Sequence, residues 1–563
     1  MPQTERLKQS TKLPYSYHTF LLAFYIDGGF SFKDADTGRW RSDSIRSGKD
    51  NTEKRLNYQN FQYYTPEARR LMFDVNESPV HRFIYDIDEN ADRSYIIRKT
   101  FEDDKTKVRT PVEYRLTIDN IRAIVFRNNI VILQFDLENH DPNHMDIESV
   151  KQINEYGRRI NMPYIVDEGV VHSLVADSIS IMGNSIEYSC FGNTALNRFL
   201  DGNDNMNIVP PILALIHELL PVDEKSSVKI NPVIDDRMFV CCLVRDEAFS
   251  RELKSLIKKD DNSAPIIGSD IYTDRDISNK LYSFAFVDAK SSSCQSPEMR
   301  ETILKRCIYS RWRDWGTVHI VTHHSLMCIT GASEDIAASV INPFLTEYVT
   351  MASGVLLQRA TLMRLSDRCS RISERYFSDK LDKKERKTII EEIRNLKKDY
   401  VYSQNNIFLT QFTAQEQGIE VFDMMRNEMY IKDSLKNLNY KVNGIYDFIT
   451  ENAESEENDL LSTLTKIGLP LAFMQVLTVV LSFNFFSGKS SWGQAGALGA
   501  IVGLCSVSAG LVFLMLSSYH KSSKTQYKKS SKFVLWLLRA LAIIGLIAVL
   551  VVSAALLAAY VFK

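Results

Sequence analysis

This 563-residue chain lacks the usual signatures of an enzyme. It has no GxxxxGK[ST] phosphate loop, no GxSxG nucleophile elbow and no HExxH metal helix. The eight cysteines, Cys190, Cys241, Cys242, Cys294, Cys307, Cys328, Cys369 and Cys505, form no CxxC pair and no zinc or disulfide spacing. Scattered thiols of this kind suit a reducing compartment. The opening "MPQTERLKQSTKLPYSYHTF" carries no basic-then-apolar leader, so the polar part is expected to be cytoplasmic. A formal net charge of −2 leaves no basic footprint, and direct binding of nucleic acid is not expected. Proline is absent between Pro343 and Pro470, and glycine there is limited to Gly354, Gly418, Gly444 and Gly468, which favours long helices.

Charge nearly vanishes after Lys466. Three apolar runs follow, at about 467–486, 494–519 and 533–562, each long enough to cross a hydrocarbon core of roughly 30 Å. Between the second and third lies "YHKSSKTQYKKSSKF", with Lys521, Lys524, Lys528, Lys529 and Lys532 and no acid. Lysines beside a span stay on the cytoplasmic side. This linker and the body before Lys466 are two crossings apart, so both are expected inside, with "SGKSSWG" and the C-terminus outside. Arg539 is near enough to the start of the third run to snorkel back. Gly499 and Gly503 form a GxxxG pair suited to close helix contact. In the first run Gln475, Thr478 and Ser482 share one face, and Asn484 follows. Such a polar stripe faces a neighbouring helix or lines a pore.

Residues 336–466 are expected to form a long-helix stalk. The reading places Asn342 as an N-cap with Pro343 at the first helical position, a second helix from about Asp379–Asp382, and a third from about Thr413. Continued unbroken into the first run, the third would be a rod of roughly 100 Å, which needs parallel partners. A homo-oligomer is therefore expected. The acids in "ENAESEEN", including Glu454, Glu456 and Glu457, form a solvated kink or a ring that draws cations.

Residues 1–335 read as an α/β domain. "EYRLTIDNIRAIVFRNNIVILQFDLEN" is a strand pair turned at Arg127–Asn129, and "MDIESVKQINEYGRRI" is helical. "RMFVCCLVRD", "LYSFAFVDAK" and "TVHIVTHHSLMCIT" read as further strands, the last with His323 and His324 on opposite faces. His140, Asp141, His144 and Asp146 are either metal ligands or a turn and helix cap. "RWRDWG" alternates guanidinium and indole. Arg311, Trp312, Arg313 and Trp315 are candidate ligand-binding residues, as is Tyr17 in "KLPYSYHTF"; a strand edge is the alternative for the former.

This order, an α/β cytoplasmic domain, a long helical stalk and a C-terminal bundle of transmembrane helices, resembles the CorA family of magnesium transporters. The resemblance implies a pentameric funnel, with a tetramer as the other option, whose rod helix continues into a pore-lining first span. On it, Gln475, Thr478, Ser482 and Asn484 line the pore, and the lysines at 521–532 form the cytoplasmic collar. The family's Gly-Met-Asn signature is replaced here by Ser482-Phe483-Asn484. The enlarged N-terminal domain, the lost signature and the "YSYHTF" start are similar to the branch that accompanies type III CRISPR systems. That branch implies an antiviral effector in the bacterial inner membrane, switched by the small nucleotide messenger SAM-AMP, with no covalent cofactor and no enzymatic activity. The alternatives are a constitutive divalent-cation transporter and a membrane-anchored nucleotide hydrolase.

Overall fold

The stretch "SYHTFLLAFYID" becomes β1 (Ser16–Asp27), the central strand of the molecule. Aromatic and aliphatic residues dominate it, and they suit a pleated surface covered on both sides. Its even-numbered residues Phe20, Leu22, Phe24 and Ile26 enter one large core, while Tyr17, Thr19 and Leu21 turn to the opposite face. The computed structural model describes residues 13–452 except 28–38, 46–50, 74–78, 89–90, 104, 161–173, 184–185, 189–228, 234–236, 256–270, 291, 334–336 and 379–382. Beyond 452 only Ser462 and Gly468 are described. The three apolar runs, the stripe Gln475, Thr478, Ser482 and Asn484, the lysines at 521–532 and Glu454, Glu456 and Glu457 all lie outside the described residues.

A 13-stranded sheet organises the N-terminal region. Its remaining strands are β2 (Trp40–Ser42), β3 (Val80–Tyr85), β4 (Ser94–Glu102), β5 (Arg109–Phe126), β6 (Ile130–Asn139), β7 (Ser178–Ile181), β8 (Ile186–Tyr188), β9 (Lys229–Pro232), β10 (Phe239–Arg245), β11 (Ile308–Tyr309), β12 (Val318–Val321) and β13 (Ser325–Thr330). The main order is β11-β12-β13-β10-β1-β6-β5-β4-β7-β8, with β2 and β3 branching from β5, and β9 from β1. All pairs are antiparallel but β10–β13. The β5–β6 hairpin turns where the sequence indicates, with Asn129 at φ 59° in the left-handed region that asparagine tolerates.

Helices cover both faces. On the core face are α3 (Ile147–Gly157), α4 (Glu247–Ser255), α5 (Arg275–Phe286) and α6 (Pro297–Cys307). The other face meets α1 (Asn51–Tyr63), α2 (Pro66–Met72), a helical run from Ala337 that becomes α7 (Val349–Tyr376), and α9 (Glu416–Glu428); α8 (Lys383–Asn406) precedes α9. Gly157 ends α3 where a Cβ would crowd Phe20 and Ile97, so this helix lies close against β1 and β4.

Four sequence expectations are corrected. "LYSFAFVDAK" is largely the second half of α5, not a strand. Asp274 caps its N-terminus through bonds from Asp276 N (3.1 Å) and Ile277 N (3.0 Å), and Ile277, Leu281 and Phe284 fall on one buried face. "TVHIVTHHSLMCIT" is two strands, β12 and β13, whose turn holds His323 and His324, so their rings meet at 4.9 Å instead of facing apart. The helix expected from Asn342 begins earlier, in two π-helical turns at Ala337–Ile341 and Phe344–Tyr348 that embrace Pro343. The third helix is not a continuous rod from Thr413. α9 stops at Met429, Tyr430 takes φ 53°, and a new helix occupies 431–452.

Among the described residues, one helix, Ser339–Tyr376, is long and apolar enough to cross a membrane, and 61% of its most apolar window is buried inside the protein. Two compact units divide the chain across the expected boundary at residue 336. The first takes 1–371 and 395–442, and the second takes 372–394 and 443–563. Within the second, Tyr376 and Phe377 meet Phe448 at 6.1 and 5.5 Å, and Arg375 donates to Glu392 at 2.7 Å.

Candidate functional site

The outward alternation of β1, β5 and β6 places polar groups on the sheet face opposite the large core. Tyr17 and Thr19 come from β1, Arg122 from β5, and Gln134 and Asp136 from β6; Arg82 on β3 and Asp43 after β2 complete the patch. Asn57 and Asn60 of α1 close one side. Leu345, Thr346, Val349 and Thr350, from the second π-helical turn and the start of α7, close another. Together they enclose a cavity of about 150 Å³. That is room for a few waters or a small polar fragment, below the 300–1,000 Å³ usual for sites that hold a whole organic ligand.

The charges within this patch are tightly knit. Asp43 accepts from Arg82 at 3.2 Å and faces Arg122 at 3.7 Å. Asp136 pairs with Arg122, and it also receives Thr19 Oγ1 at 2.9 Å and Gln134 Nε2 at 2.9 Å. Burial opposes the Arg122 charge, but Asp136, Asp43 and Asp119 outweigh it and hold the pKa above its ordinary value. Two groups at the cavity stand outside this network. Among the described residues the Tyr17 hydroxyl, on a side chain only 4% exposed, has no hydrogen-bond partner, and neither does Asn60 Oδ1. Burial, reinforced by Glu138, raises the Tyr17 pKa, so the hydroxyl keeps its proton and remains a donor. A buried polar atom without a partner costs about 1–3 kcal/mol. Tyr17 was legible as a candidate; Asn60, Arg82, Arg122 and Asp136 were not, because they come together only through the sheet.

π-Helical turns are uncommon and tend to occur at functional positions. Here they carry Thr346 and Glu347. Burial lifts the Glu347 carboxyl to about 7, beside Tyr63, Tyr64 and Tyr348.

The other candidates lie apart from Tyr17. Arg311, Trp312, Arg313 and Trp315 occupy the β11–β12 connection, with a short 3₁₀ turn at Arg313–Trp315. None of the four lines the Tyr17 cavity. Arg311 binds Glu420 of α9 at 2.7 Å and faces Glu416 at 3.5 Å. Trp315 is 71% exposed. Trp312 packs on Tyr309 and on His319, which is also enclosed by Phe344 and Tyr348. The motif therefore fastens α9 to the sheet edge. Among the described residues no group of three or more His, Cys, Asp or Glu side chains is placed to hold a metal ion. In "NHDPNHMD", Asp141 caps a 3₁₀ turn and Asp146 caps α3 through Ser149 N at 2.8 Å, in keeping with the turn-and-cap alternative. His140 meets Glu138 at 2.9 Å, and His144 packs on Tyr114.

No family model matches the chain, and neither does any curated protein or solved structure.

Proposed function

We propose that the chain is a CorA-like, homo-oligomeric membrane effector gated by a small nucleotide messenger of the SAM-AMP kind. The α/β body senses the ligand, and the helices after it carry the change to the apolar runs, of which the first lines the conduit. One observation supports this reading. The helical run from Ala337 lines the Tyr17 cavity through its second π-helical turn and the start of α7, a helix of 28 residues. A small polar group of the ligand that enters this cavity and favours one arrangement of the second turn biases the helix that grows from it. To act as a switch, it must bind the open state better than the closed one by about 3–5 kcal/mol. The first run, with Gln475, Thr478, Ser482 and Asn484 on its polar side, is the proposed pore wall, and Lys521–Lys532 the collar beneath it.

The test is ion flux from liposomes holding the purified full chain, with and without SAM-AMP, alongside the mass of the detergent-solubilised particle. A pentamer or tetramer with ligand-dependent flux is expected. A monomer, or flux that ignores the ligand, overturns the proposal. Ligand-independent magnesium flux abolished by Asn484→Ala would instead favour a constitutive divalent-cation transporter.

A further inference from the structure

A second concavity lies in the same compact unit as the Tyr17 cavity and is built from different residues. It is a groove of about 580 Å³, within the range of small-molecule sites. Two stripes with the same spacing form its walls. Arg359, Ser366 and Ser370 recur at +7 and +4 along α7, and Tyr430, Asn437 and Lys441 recur at +7 and +4 along the segment that leads into the 431–452 helix. This spacing keeps each set on one helical face. His323, from the β12–β13 turn, closes the end.

The groove holds positive charge that its own acid does not balance. Arg359 Nη1 donates to the carbonyl oxygen of His323 at 3.0 Å, and no carboxylate is within ion-pair distance of it among the described residues. Burial pulls its pKa down to about 10, the mark of a guanidinium without a counter-charge. Lys441 Nζ touches only the Ser366 hydroxyl, at 3.1 Å, among the described residues. Asp367, the one carboxylate among the described lining residues, is paired with Arg371 on its own helix.

An aromatic face accompanies these cations. Tyr430 is 55% exposed, and its ring lies 5.7 Å from that of His323. It is held at φ 53°, a conformation that is costly for a bulky residue, by the bond from its N–H to Asn427 O at 3.1 Å and by the Ser434 N–H to its own carbonyl at 3.0 Å. Backbone strain that presents an exposed ring beside two cations and several hydroxyls suits a ligand with an anionic end and a planar end.

We infer that this groove binds an organic phosphate bearing a planar ring, with the phosphate between Arg359 and Lys441 and the ring against Tyr430. The inference goes beyond the proposed function: the groove is a site separate from the Tyr17 cavity, and its occupant is defined by its chemistry alone. Binding is measured instead of flux, so the two can fail separately.

The experiment is calorimetric titration of the detergent-solubilised full chain with AMP, ribose 5-phosphate and inorganic phosphate. AMP should bind, and should bind more tightly than ribose 5-phosphate. Lys441→Gln, at an exposed position, should weaken AMP roughly tenfold without lowering the melting temperature. Arg359→Gln should do the same or more, with folding checked by circular dichroism. Tyr430→Ala should erase the preference of AMP over ribose 5-phosphate while ribose 5-phosphate itself still binds. No AMP binding to the wild type at millimolar concentration overturns the inference. So does binding that Lys441→Gln and Tyr430→Ala both leave unchanged.

Discussion

The Tyr64 hydroxyl donates to the backbone carbonyl of Glu347 across 3.0 Å, and so ties the end of α1 to a π-helical turn. Tyr64 is wholly enclosed, with its ring against Tyr63, Phe73 and Phe412. Tyr64→Phe keeps this packing and leaves the carbonyl without that donor. A loss of about 1–2 kcal/mol is expected, read as a lower melting temperature of the solubilised chain. If the tie also sets the gate, ligand-dependent flux shifts to a different ligand concentration in the same variant.

Glu347 itself gives a pH prediction. Its carboxyl stands at about 7 in the folded chain against an ordinary 4.5. Between those values the folded state holds a proton that the unfolded state releases. The stability this supplies is present in full below about 4.5 and is lost as pH rises through 7. Glu347→Gln should therefore be more stable than the wild type at pH 8, by an amount on the order of 1–3 kcal/mol, and the gap should narrow sharply by pH 5. An equal gap at both pH values would refute the assignment.

His319 titrates the other way. It is 1% exposed, enclosed by aromatic rings, and among the described residues neither ring nitrogen has a hydrogen-bond partner. Burial lowers its pKa to about 3 from 6.5, so it opposes folding increasingly as pH falls below 6.5. His319→Phe should raise stability by about 1 kcal/mol at pH 7.5 and by roughly 2 kcal/mol more at pH 5, measured as paired thermal melts.

Gly354 on α7 faces the Phe412 ring so closely that an added methyl would overlap it. Phe412 is itself fully buried. Alanine usually improves a helix by about 1 kcal/mol over glycine. Here overpacking at about 1–3 kcal/mol should win, and Gly354→Ala should lower the melting temperature.

Tyr17→Phe separates sensing from packing. The hydroxyl has no partner to lose among the described residues, so the melting temperature should hold or rise slightly. Ligand-dependent flux should fall roughly tenfold if the cavity is the sensing element. Arg311→Ala, which breaks exposed pairs with Glu416 and Glu420, should leave both flux and the melting temperature unchanged.

The parts of the fold that were legible in the sequence are those governed by local rules. The β5–β6 hairpin was found at its turn, Arg127–Asn129, α3 within "MDIESVKQINEYGRRI", and α8 as a helix expected from about Asp379–Asp382, positions that lie outside the described residues. "LYSFAFVDAK" was misread because six apolar side chains in its first seven positions satisfy either period. The capping Asp274, just outside the quoted stretch, was the signal that could have decided it. β1 was seen only as an aromatic cluster, although its apolar run continues to Asp27. The Tyr17 cavity and the His323–Arg359–Lys441 groove were not legible, since each gathers residues hundreds of positions apart, and register and helix packing decide which of them meet. The end of α9 at Tyr430 was hidden because no glycine or proline marks it.

The central place of β1 has a consequence for synthesis. It precedes the other described strands in the chain, yet one of its two long edges waits for β10, at Phe239–Arg245, and β10 in turn waits for β13. Through most of the making of the body, the nascent chain presents a bare apolar strand edge, a template for wrong pairing. Chaperone cover over the first 330 residues would therefore matter more to the yield of this protein than to that of one whose central strand is made last.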